Sequence, residues 1–374
     1  MSGYTMTGTK DLKSEASGGL SLPVNLNMGF VTKARVLSND YVVEPDGEKG
    51  SVLIEIFDEA AFIFGGKISD NVGISGEFAN GLLGGKVAFT AEAASGRVGA
   101  VYHMTDALGA FAATEVYSSG LYRPIRQFEN RKKTNVFQAL GIGDGQATGA
   151  QLYYGGNGLY ATAGLYVPVF GNSARADTDG FKTIVRAAYE FNVADTTVAV
   201  GGYHIGGKVA RKLIDYNTDG AEIIHKVDGI DTDALDRTSY GLDLQIESAV
   251  SGMPLMVTGG YVLSNKYNGI DIDPASPEGT PALYTATAQD MTGFHLDTQI
   301  NPIDRFGVKA AVLGVSDDKT ANRDFMVYSA GLEYSFTQNV RFCFEYSYTS
   351  SDRADTIEQN YSGNDFLLMA MVAF

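Results

Sequence analysis

The chain has a single cysteine, Cys343, so it can form no intrachain disulfide and hold no cysteine-based metal cluster. Long apolar runs are also missing. The longest charge-free stretch, Gly145 to Ala174, is broken by glycines and by Gln146, Gln151, Asn157 and Asn172. A helical membrane span needs about 20 apolar residues, so this composition excludes one. Basic residues are scarce: 28 Lys and Arg stand against 44 Asp and Glu, a formal charge of −16. That balance excludes nucleic acid as a general partner, because phosphate binding needs a basic surface. The acidity fits solvated loops, or divalent ions bridging to anionic lipid headgroups. Catalytic signals are poor. His103, His204, His225 and His295 fall in no metalloprotease spacing, no Gly-x-Ser-x-Gly elbow occurs, and Gly141–Gly145 lacks the helix and lysine of a nucleotide-binding turn. The expectation is a protein that is not an enzyme, with His225 among acidic residues as the weak exception. Met1-Ser2-Gly3-Tyr4 opens a polar segment without the apolar core of a secretory signal.

What is present points to strands. Forty-five glycines, 21 tyrosines and 20 phenylalanines accompany only nine prolines. Mean hydropathy is −0.05, near zero. Period-two alternation dominates from Leu20 onward. Leu20, Leu22, Val24, Leu26, Met28 and Phe30 occupy every second position, and the pattern returns at 87–93, 181–191, 240–246, 306–312 and 340–348. Alternation of this kind marks strands with one apolar face. Connections alternate between short (192–195, 301–304, 337–339) and long polar ones (33–51, 119–134, 207–237, 265–283, 317–323, 351–363). About eighteen alternating segments can be counted by this reading, with sixteen as the other possibility. The fold class expected is an all-β, antiparallel transmembrane barrel over 20–374, preceded by a polar tail over 1–19. A soluble β-sandwich or propeller would show the same periodicity, but no repeat of about 40–50 residues is present.

The last segment separates these readings. Phe366, Leu368, Ala370, Val372 and the terminal Phe374 sit at every second position, and no charge interrupts Phe366 to Phe374. This ending resembles the assembly signal of bacterial outer-membrane β-barrels, in which an aromatic residue closes a strand apolar at alternate positions. In this chain Leu367, Met369 and Met371 between them are apolar too, where such barrels more often carry polar residues. The resemblance is to porin-type channels and implies several expectations. The protein would lie in the outer membrane, in contact with lipid and lipopolysaccharide, with this numbering beginning at the mature chain. The barrel-assembly machinery would read the last strand by strand addition. Function would be passive passage of small hydrophilic solutes and ions, with a homotrimer as the assembly and no cofactor.

In such a channel a loop folded into the lumen forms the constriction. The candidate is 119–145, where Arg123, Arg126, Arg131, Lys132 and Lys133 accompany Glu129. A cationic ring of this kind attracts anions; the alternative is a periplasmic connection or a lipid-phosphate contact. Strand parity assigns a second group to the lumen wall: Lys86, Glu92, Lys182, Arg186, Glu190, Lys309, Arg341 and Glu345. Asp215, Asn217 and Asp219 with Gly220 match the opening of a calcium loop, but Lys226 stands at the twelfth position, so any Ca²⁺ would be held loosely. An acidic surface loop is the alternative there. Two other functions remain open: a structural barrel that sheathes or anchors a partner protein, and a hydrolase with its site at the rim.

Overall fold

The computed structural model describes residues 13–15, 21–23, 28–42, 49–79, 82–105, 107–108, 127–140, 142–143, 147–167, 181–207, 214–216, 222–224, 238–267, 289–317, 324–337, 339–351 and 363–373. Two short pairs stand apart from the main sheet. One joins β1 (Lys13–Glu15) to β2 (Ser21–Pro23). The barrel then starts with β3 (Met28–Val42), β4 (Lys49–Ser69), β5 (Val72–Ala79), β6 (Leu82–Ala93) and β7 (Gly96–Thr105). After a long connection come β8 (Ala147–Gly156), β9 (Leu159–Val167), β10 (Lys182–Val193) and β11 (Thr196–Gly206). The second pair, β12 (Ile214–Tyr216) with β13 (Glu222–Ile224), interrupts the next connection. The wall is completed by β14 (Thr238–Val250), β15 (Met253–Tyr267), β16 (Gln289–Ile303), β17 (Phe306–Asp317), β18 (Phe325–Thr337), β19 (Val340–Ser351) and β20 (Gly363–Ala373).

Sixteen of these strands form one closed barrel, sealed where β20 pairs antiparallel with β3 from Ala373↔Val31 to Asp365↔Asn39. Closure answers the lipid problem directly, since no unpaired backbone edge can be solvated there. The alternation running from Leu20 to Phe30 divides between β2 and the start of β3. One expectation changes. The segment 33–51 is largely strand, because β3 runs to Val42 and β4 starts at Lys49. Its polar residues do not mark a loop: the Lys33 side chain is buried on the inner face, which reads as polar sequence. The strand count is sixteen, the lower of the two expected, and the short pairs β1–β2 and β12–β13 stand outside the wall.

Facing follows parity. On β10, Lys182, Ile184, Arg186 and Ala188 are buried inside while Thr183, Val185, Ala187 and Tyr189 are exposed outside. Leu242, Leu296, Tyr328, Phe344 and Leu368 stand on the same outer surface. On β20, Phe366 and Leu368 point outward, whereas Leu367, Met369 and Met371 pack inside against Val31 and Cys343. That inner cluster explains why the intervening positions are apolar. Phe374 lies outside the described residues.

Two of the short connections are two-residue turns with positive φ at both positions: Asn157–Gly158 (50° and 78°) and Ser251–Gly252 (52° and 79°). Such turns match the twist of a hairpin and favour Asn-Gly and related pairs. The two glycines differ in surroundings. A Cβ on Gly158 would lie 2.3 Å from the Glu190 carbonyl oxygen, whereas one on Gly252 would meet nothing within 4 Å. Gly252→Ala should therefore cost about 1 kcal/mol, the backbone term alone, and Gly158→Ala roughly 2–3 kcal/mol. Urea unfolding of both variants in lipid vesicles tests this order; equal losses would show that the contact with β10 is irrelevant.

Candidate functional site

The connection between β7 and β8 leaves from the side of the long connections, because β7 starts at the tight turn Ser95 and ends at Thr105. That position agrees with 119–134 as one of the long connections and speaks against the alternative of a periplasmic connection. Its described parts, 127–140 and 142–143, run inside the barrel along the inner wall. A 3₁₀ turn, Arg131–Lys133, is followed by a short helix α1, Val136–Ala139. Asn135 sets the start of α1, its side-chain oxygen accepting the N–H groups of Phe137 and Gln138.

Charges fasten the first end of this segment. Lys33 Nζ on β3 donates to Glu129 Oε2 at 3.0 Å, and neither side chain is exposed. Glu345 on β19 accepts the backbone N–H of Glu129 at 2.8 Å and that of Asn130 at 2.9 Å. Lys309 on β17 donates to the Gln127 carbonyl at 2.6 Å and to Glu345 at 3.0 Å. Arg341 pairs with Glu333 and lies 3.9 Å from the other oxygen of Glu129. Lys133 reaches Asp365 at 3.1 Å and Thr349 at 2.9 Å. Four cations thus face four carboxylates, and each buried charge finds an opposite one. A buried carboxylate stripped of its partner is strongly destabilising, so the segment and the wall depend on each other.

The second end is seated by shape. Val136 N–H donates to His295 Nδ1 at 3.3 Å, which leaves the Nε2 hydrogen facing Asp297 at 3.6 Å. Thr258 in turn donates to Asp297 at 2.5 Å. Glycines on the wall make room for the helix. A Cβ on Gly260 would lie 2.4 Å from the Phe137 ring, and one on Gly293 would lie 2.5 Å from Val136. Val136, Phe137, Leu140 and Ile142 join Ile184, Tyr203, Val262 and Leu313 in an apolar cluster within the lumen. The segment closes on itself where Ala107 N–H bonds the Gly143 carbonyl at 3.1 Å. Gln151 on β8 donates to the Ala107 carbonyl at 2.9 Å, fixing the return to the wall.

Of the residues singled out in the sequence, Glu129 and Lys133 enter this charge cluster, while Lys132 is exposed and Arg131 half-buried. Arg123 and Arg126 lie outside the described residues. On the wall, Lys309, Arg341 and Glu345 belong to the same cluster; Arg186 makes a separate two-bond pair with Asp243, at 2.6 and 2.8 Å. Lys182 is buried on the inner face, Lys86 and Glu190 are half-buried there, and Glu92 stands opposite Arg97 and open to water. Asp215 lies in β12 opposite Ile223, with Asn217 and Asp219 outside the described residues. Among the described residues no three His, Cys, Asp or Glu side chains gather as a metal site. His204 is on the outer face against Tyr240, and His225 is outside the described residues.

Sequence reading missed Lys33, Asp243, His295, Asp297, Glu333 and Asp365. Parity could have found His295 and Asp297, which alternate with Phe294 and Leu296, as it found Lys309. Nothing local marks Lys33, whose role comes from a residue 96 positions away. The pair gives a direct test. Lys33→Met should lower stability by roughly 3–5 kcal/mol, and adding Glu129→Met should recover most of the loss. Urea midpoints and protease cutting within 127–143 read both effects; a single variant as stable as the parent would remove the pair from the account.

No protein-family model matches the chain, and no curated protein matches it. Solved structures do. An anion-selective porin from Comamonas acidovorans aligns with a TM-score of 0.53 at 8% identity, over 94% of this chain and 99% of that one. A loop-deletion mutant of OmpT, an outer membrane protein of Vibrio cholerae, aligns at 0.52 with 14% identity, over 94% and 99%. The outer membrane channel DcaP of Acinetobacter baumannii aligns at 0.51 with 11% identity, over 94% and 97%. At such identities the likeness is one of fold, and the fold is that of a bacterial outer-membrane β-barrel of the porin type.

Proposed function

We propose that the chain is a channel for passive diffusion of small hydrophilic solutes and ions across the outer membrane. The observation that supports this most is the division of the wall. Charged and polar side chains line the inside, Leu, Phe and Tyr cover the outside, and one connection is drawn into the lumen to narrow it. In this reading 119–145 is the constriction. Lys33, Lys133, Lys309 and Arg341 each face a carboxylate, so their field is largely cancelled. The basic character of the segment, with Arg123, Arg126, Arg131 and Lys132 in one short stretch, would then give a mild preference for anions. The last strand would be the handle for the barrel-assembly machinery, lipid and lipopolysaccharide would surround the outer face, and copies of the chain would associate as a homotrimer.

A second reading has its own support. The apolar cluster around Phe137 fills part of the lumen and suits a structural barrel that anchors a partner. Conductance separates the two. Purified protein in planar bilayers should give stable ohmic steps, and a silent protein would leave only the structural reading. In a salt gradient, neutralising Arg123, Arg126, Arg131 and Lys132 to Gln should move the reversal potential toward cations, with anion preference falling about two- to threefold. An unchanged potential would remove these residues from the filter.

A further inference from the structure

Low on the inner wall, on the side of the short connections, lies a recess of about 180 Å³. Gly155, Gly156 and Gly158 form its floor, and Tyr160, Ala188 and Glu190 stand around it. The hollow follows from the backbone. A Cβ on Gly156 would lie 2.2 Å from the Ser95 carbonyl oxygen, and one on Gly158 2.3 Å from that of Glu190. No larger residue fits at either position, so no side chain fills the space beside them. Above, Tyr160 pairs with Ala188 across β9 and β10, and both pack with Tyr153 and Val101. That cluster closes the upper end with apolar surface.

Charges of opposite sign flank the recess. Glu190 lines it on β10 and is half-buried. On the other flank Gly155 pairs directly with Arg97 of β7, half-buried and in parity with the inward Val101 and His103. Arg186, the next inward residue above Ala188, is already taken up by its two bonds to Asp243. Arg97 and Glu190 stand three strands apart, about 14 Å of wall at about 4.8 Å per strand. Long side chains reaching over a glycine floor shorten that distance to the span of a small molecule hydrogen-bonded at each end. The volume sets the same limit, since sites that enclose a drug-sized ligand measure roughly 300–1,000 Å³. Net charge sets another. Glu92 stands opposite Arg97, so an anionic solute would meet two carboxylates around one guanidinium. A solute that is neutral overall avoids that repulsion.

We propose that the recess binds a small zwitterion, an α-amino acid whose ammonium meets Glu190 and whose carboxylate meets Arg97. Both contacts are charge-assisted, and the planar fork of Arg97 matches a carboxylate. The amino acid's own side chain lies against Tyr160 and Ala188, which leaves room for a methyl or a similarly small group. The proposal gives the channel reading a solute class: a molecule in transit pauses here at the periplasmic mouth. It rests on that reading for the route and on the recess alone for the binding.

The test uses the full chain purified in detergent micelles. Saturation-transfer NMR, irradiating the aromatic protons of the barrel, follows L-alanine, ethylamine and propionate over a concentration series. L-alanine should bind about tenfold more tightly than either single-ended analogue, the effect of one hydrogen bond to a charged group. Glu190→Gln and Arg97→Gln should each weaken L-alanine by about tenfold. Glu247→Gln, on the exposed lower part of β14, should leave its affinity unchanged. Equal binding of L-alanine and either analogue would overturn the two-ended site, and equal losses from all three variants would overturn its location. A protein that gives ohmic steps but does not bind L-alanine would sink the proposal and leave the channel standing. Binding by a silent protein would keep the site and fail the channel.

Discussion

Lipid accepts no unpaired peptide group, and the rest of this architecture follows from that restriction. Once the only wall available is a closed sheet, β20 must find β3 across the whole length of the chain. Closure forces every strand to present one face to hydrocarbon and the other to the lumen. The near-zero mean hydropathy is the average of those two faces. An apolar chain of this size would instead need a core, and a polar one would have nothing to place in the membrane.

The lumen carries the second restriction, which is electrostatic. Charges set on the inner wall lie in a space partly filled by the chain itself, and burial there is tolerable only in pairs. The segment 127–143 supplies what the wall lacks. Glu129 and two backbone N–H groups neutralise or satisfy Lys33 and Glu345, and the Gln127 carbonyl takes up Lys309. In return the wall gives the segment a fixed seat at Gly260 and Gly293. A connection held at one end by ion pairs and at the other by shape is a rigid feature of the lumen, and a rigid feature can define a bore.

The wall was legible residue by residue because its signal is local. Period two in 181–191 assigns Lys182 and Arg186 to one face and Val185 and Tyr189 to the other without knowledge of any neighbour. The same signal overran its limits near Leu20, where β2 carries the alternation outside the barrel, and failed at 33–51, where inward charges on β3 read as a polar loop. The lumen cluster was only half legible. Lys309, Arg341 and Glu345 stood out by parity, but their partners come from strands and a connection distant in the chain. His295, Asp297 and Asp365 carry no sign in sequence of the contacts they make.

From the sequence by itself came the alternating strands, which residues share a face, and, through the resemblance carried by the last segment, the expectation of a membrane-spanning sheet. These are properties of single strands and need no partner. Tertiary structure alone decided the number of strands, the side from which the connection between β7 and β8 enters, and the pairing of each lumen charge, because these depend on closure and on contacts such as Lys133 with Asp365, far apart in the chain. It also decided that β4 outruns β5. No local pattern records that difference, because how far a strand pairs depends on both of its neighbours.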